Sequence, residues 1–167
     1  AELFLDEVLE VCSDDSALAE ACAVLAYWDR KQTIESRGAH VFNEFFSETE
    51  QLSAYYAVPF DNADPVHTPR GLTINDTATR EAILAALHVA VDRITEAGIA
   101  IDAKWGDVQF EMSNGEKIGI PGGNGRAGMF SVISARFNAD NGGYTPIVAG
   151  NSYIQSVTWN EDGSPNA

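Results

Sequence analysis

Cations are scarce in this chain. Ten Lys and Arg stand against 25 Asp and Glu over 167 residues, a formal charge of −15, and only Lys31, Lys104 and Lys117 are lysines. A polyanion would meet net repulsion from such a surface instead of counterion-releasing contacts, which argues against nucleic acid as a partner. No stretch approaches the ~18 uninterrupted apolar residues of a membrane-crossing helix, which argues against a helical membrane span. The N-terminal AELFLDEVLEV lacks a basic leader region and an A-x-A-type cleavage site. Cysteine is limited to Cys12 and Cys22 without a C-x-x-C, so zinc ligation and thioredoxin-like redox chemistry lack their spacing. His40, His67 and His88 are isolated, and neither G-x-S-x-G nor H-E-x-x-H occurs. No residue is therefore assigned a catalytic, cofactor-binding or metal-ligating role.

What is present suits a single globular core: 45% hydrophobic and 10% aromatic residues in a length typical of one domain. The excess acid reads as a solvated face. Apolar residues recur at helical spacing through the first 100 residues. Leu5, Val8, Leu9 and Cys12 form one stripe, and Leu18, Ala21, Cys22, Leu25 and Trp28 a second, with Asp15 or Ser16 as cap. A four-residue connection makes this an antiparallel helical hairpin. It brings Cys12 and Cys22 to similar heights, where a disulfide and two buried thiols fit equally well. A third helix carries Val41, Phe42, Phe45 and Phe46, with Trp28, Tyr55 and Tyr56 as core aromatics. The segment 59–71, with three prolines, reads as a surface loop in which Asp61 and Asp64 cap turns instead of binding calcium. A fourth helix follows Asn75-Asp76-Thr77, presents Ile83, Leu87, Ala90, Val91 and Ile94 on one face, and stops at Gly98.

Residues 101–167 read as strands, so the fold class is α+β: N-terminal helices followed by antiparallel strands. Within the hairpin around Asn114-Gly115, a three-residue loop (Ser113–Gly115) would set Val108 against Ile120, Phe110 against Ile118 and Glu111 against Lys117. That register buries one apolar row and is the expected one; a two-residue turn would split the rows between faces. Gly123, Gly125 and Gly128 spell G-x-G-x-x-G, the fingerprint of a dinucleotide site. The site needs a helix directly after the loop, whereas MFSVISARF follows, rich in β-branched and aromatic residues. The glycines are expected to serve turns and close packing, and no cofactor is expected.

Six blocks, in order, carry a family likeness: LAYWDR at 25–30, PFD at 59–61, HTPRGL at 67–72, WGDVQ at 105–109, IPGGNG at 120–125 and GNSYIQ at 150–155. The chain resembles the penicillin acylase family, and within it the acyl-homoserine lactone acylase branch. The resemblance implies a periplasmic or secreted N-terminal-nucleophile (Ntn) hydrolase of αββα architecture, made as a self-cleaving precursor, that hydrolyses a fatty-acyl amide. Its nucleophile would be a serine at the start of the large subunit, whose α-amino group is the base, with an asparagine and a backbone N–H holding the oxyanion. This sequence begins with Ala1, and the matching blocks lie downstream of those groups, so none of them maps onto a residue here. Residues 1–167 are accordingly expected to be one scaffold fragment of the large subunit, cut at both ends and inactive alone, whose partners are the rest of the precursor and, for the parent, an acyl amide. The competing expectation is a self-contained extracellular binding module with Trp105, Tyr144, Tyr153 and Trp159 as an aromatic ligand face; buried aromatics would favour the scaffold.

Overall fold

A computed structural model describes residues 1–49, 55–151 and 157–166. Helix α1 (Leu5–Cys12) buries Leu5, Val8, Val11 and Cys12 and turns Asp6 and Glu10 to solvent. Asp15 then accepts a hydrogen bond from the Ala17 N–H (2.9 Å), capping a 3₁₀ turn (Ser16–Leu18) that feeds helix α2 (Ala19–Tyr27). The hairpin places the Cα atoms of Cys12 and Cys22 5.9 Å apart, and the structure joins their sulfurs in a disulfide.

Gly38 has φ +91°, and a side chain there would press on Trp28 and the Val24 carbonyl, so glycine permits the close start of helix α3 (Ala39–Glu48). The expected α3 stripe is present: Val41, Phe42 and Phe45 are buried, and Phe46 stacks on Phe4 with ring centres 6.4 Å apart. Trp28 packs on Phe42 at 5.0 Å, and Tyr55 and Tyr56 lie against the same core. Strands β1 (Tyr56–Val58) and β2 (Arg70–Leu72) pair antiparallel and close the proline-rich loop between them. Helix α4 (Thr77–Glu96) is capped by Asp76, which accepts from the Thr79 N–H at 3.0 Å, and ends before Gly98 at φ +70°. Its Ile83, Leu87, Ala90 and Ile94 complete the core between α1 and α3.

Past residue 100 the elements shorten. Trp105–Val108 is one helical turn, α5, not the start of a strand, and buries Trp105 and Val108. The β3 (Phe110–Ser113) and β4 (Glu116–Gly119) hairpin overturns the expected register: Phe110 faces Gly119, Glu111 faces Ile118 and Met112 faces Lys117. Asn114 (φ +52°) and Gly115 (φ +84°) are both left-handed, which makes the two-residue turn whose twist matches a hairpin. Turn chemistry thus prevailed over pairing of the apolar rows. Phe110 goes inward while Met112 and Ile118 stay about half exposed, and Lys117 lies 4.0 Å from the Phe110 ring centre instead of opposite Glu111.

The remaining strands are two residues each: β5 (Ile133–Ser134) with β8 (Ala149–Gly150), β6 (Phe137–Asn138) with β7 (Gly143–Tyr144), and β9 (Thr158–Trp159) with β10 (Pro165–Asn166), all antiparallel. Helices with short antiparallel strand pairs make the chain α+β.

Candidate functional site

The densest buried polar cluster was not foreseen from sequence. Glu44 of α3 is 2% exposed. One carboxylate oxygen accepts from the Tyr144 hydroxyl of β7, and the other from Arg93 Nη1 of α4 at 2.8 Å. Asn43 Nδ2 donates to the Tyr144 oxygen at 2.9 Å, and Arg93 Nη2 donates to Glu48 at 2.6 Å. Burial, and then the Glu44 charge, push the Tyr144 phenol well above its ordinary range, while the Glu44 bond raises Arg93 further. Tyr144 therefore remains a donor and Arg93 a cation at any physiological pH. Both Glu44 oxygens are occupied by protein donors, so the cluster ties α3, α4 and β7 together and offers no position to a reactant. The readable signal was Glu44 itself, a charge between Phe42 and Phe45 on a helix face that is otherwise apolar.

Among the described residues the histidines reach no nucleophile. Buried His40 bonds the Ala100 carbonyl through Nε2 (3.1 Å), leaving Nδ1 without a partner, and burial lowers it to about 4. His67 bonds Asp64 (2.7 Å) and His88 bonds Asp15 (2.8 Å). Among the described residues no hydroxyl or thiol is bonded to a histidine, and no group of three or more His, Cys, Asp or Glu is placed to hold a metal ion. Asp61 caps its own turn by accepting from the Ala63 N–H (2.8 Å).

The glycine string packs as its sequence context suggested. Gly122 has φ +90° and donates to the Gln32 carbonyl (2.8 Å), and its own carbonyl accepts from Trp105 Nε1 (2.8 Å) and Gln109 Nε2 (2.9 Å). A side chain on Gly123 would run into the Gln32 amide. Only a three-residue 3₁₀ turn, Gly125–Ala127, follows, so no helix N-terminus faces the loop. Gln109 and Gln32, buried partners of this loop, carried no local sequence signal.

Of the four aromatics of the alternative ligand face, the three that are described separate. Trp105 (1% exposed) packs on Tyr144 (4%) at 5.1 Å inside the core, Trp159 is 69% exposed, and Tyr153 lies outside the described residues. No aromatic platform is formed by the three that are described.

The family model described as penicillin amidase matches residues 1–167. The acyl-homoserine lactone acylase PvdQ of Pseudomonas syringae pv. syringae is 35% identical over 165 residues, and that of Pseudomonas fluorescens Pf-5 31%; each match covers 95% of this chain and 21% of the relative. The aculeacin-A acylase of Actinoplanes utahensis is 28% identical over 168 residues, 94% of this chain and 20% of that protein. The chain thus spans about a fifth of the length of these relatives. With its whole length matched, the chain belongs to the penicillin amidase family.

Proposed function

We propose that residues 1–167 are a scaffold portion of the large subunit of a penicillin-amidase-family amidohydrolase, a single fragment with helices up to about residue 100 and strands beyond. The parent hydrolyses the amide bond of N-acyl-homoserine lactones, and so quenches quorum signals, or cleaves related acylated amides. It is a periplasmic or secreted Ntn hydrolase made as a self-processing zymogen, and its small subunit and the rest of its large subunit are this chain's partners. The observation that carries the reading is the conjunction of a full-length family match with coverage of only about a fifth of the acylase relatives.

The test is to express the parent from its complete gene, sequence the N-termini of the mature subunits, and follow amine release from a long-chain N-acyl-homoserine lactone and from an acylated drug-like amide. A large subunit that starts with serine and turns over either substrate is the expected result. An unprocessed, inactive parent would overturn the proposal.

A further inference from the structure

Helix α2 breaks the amphipathic rule that α1 obeys. Eight of its nine residues (AEACAVLAY) are apolar, and its outward side consists of Ala19, Glu20, Ala23, Ala26 and Tyr27, with Tyr27 92% exposed. On α1 the corresponding side carries Asp6 and Glu10. A helix side with a single charged residue and an otherwise apolar surface is ordinarily covered along its apolar part. Beside this face, Val24 and Tyr27 on one wall and Thr33, Ser36 and Arg37 on the other enclose a groove of about 440 Å³. Its rim is acid-rich: Asp29, Glu35 and Asp102 lie along it, with Arg37 paired to Asp102 (3.2 Å) and Lys104 to Glu35 (2.6 Å).

We infer that this α2 face and groove are where another segment of the parent polypeptide, apolar with a Lys or Arg at its edge, packs onto the fragment. The inference rests on the scaffold reading above. About four-fifths of the length of the relatives lies outside the matched stretch, so the parent has chain to supply. Three alanines let a second backbone approach closely, and Tyr27 offers the large amphipathic side chain that anchors interface cores. Asp29 on the rim and Glu20 on the outward side form no ion pair among the described residues, and these two carboxylates select a cation at the edge of the incoming segment. A second copy of this chain is a poorer occupant, because each copy brings a charge of −15.

Hydroxyl-radical footprinting of Tyr27, in this chain and in the complete parent at the same low concentration, tests the inference. Oxidation of Tyr27 is expected to be at least about fivefold slower in the parent, as for a side chain moved from solvent into an interface core. In the parent, Tyr27→Asp is expected to lower the melting temperature, and Tyr27→Phe to preserve it. Equal oxidation rates would overturn the inference, as would protection within this chain that grows with its concentration, the mark of self-association. Acylase activity reports separately: an active parent with exposed Tyr27 defeats the docking alone, and an inactive parent with protected Tyr27 defeats the proposed function alone.

Discussion

The helical region up to residue 100 and the strand region after it bury their apolar residues very differently. In the first, Leu5, Val8, Phe45, Ile83, Leu87 and Ile94 are at most 1% exposed, and a disulfide and the Glu44–Arg93 pair cross-link the helices. In the second, Phe130 and Val148 are 78% exposed, Trp159 69% and Met112 55%, and the strands beyond the hairpin are two residues long. Helices satisfy their backbone internally and need only one covered face, whereas two-residue strand pairs leave most edges and faces without protein neighbours. The helical region therefore supplies most of the buried core, to which the strand region adds Trp105, Val108, Phe110 and Tyr144 while leaving most of its other large apolar side chains at the surface.

The sharpest test of that contrast compares two phenylalanines. Phe45→Ala removes a fully buried ring and is expected to cost about 3–5 kcal/mol in denaturant unfolding, while Phe130→Ala should stay within about 0.5 kcal/mol. Equal losses would break the comparison. Next, Arg93→Ala leaves the Glu44 carboxylate buried without its cation and is expected to cost about 3 kcal/mol, more than Arg30→Ala, whose partner Asp6 is largely exposed.

The helical region should also be the acid-sensitive one. His40 titrates near 4 when folded, lowered first by burial, against an ordinary value of 6.5. The unfolded chain therefore binds its proton first. The stability this group contributes is complete above about pH 6.5, falls as pH drops toward 4, and amounts to about 3 kcal/mol. A His40→Gln variant should flatten that part of the stability–pH curve, and an unchanged slope would show that other groups set it. A smaller loss is expected on reduction of Cys12–Cys22, which closes a short loop and should cost about 2–3 kcal/mol, read as a lower unfolding midpoint under reductant.

How much of this was legible follows from where the determinants lie. The Asp15 and Asp76 caps, the α3 and α4 stripes and the stop at Gly98 are local signals, each within a turn or two of the element it defines. The hairpin register was misjudged because two forces competed over six residues, and the left-handed preference of Asn114-Gly115 outweighed an apolar row that ends up half exposed. The Glu44–Tyr144–Arg93 cluster joins positions up to 100 residues apart, and the glycine loop is held by Trp105, Gln109 and Gln32 from two separate segments. Spacing within the sequence cannot announce such pairings.

The most direct measurement is of catalysis by this chain alone. Incubated with a long-chain N-acyl-homoserine lactone, residues 1–167 are predicted to release homoserine lactone amine no faster than a boiled sample. Turnover above that control would contradict the account, because a hydrolytic nucleophile would then have to lie within these residues.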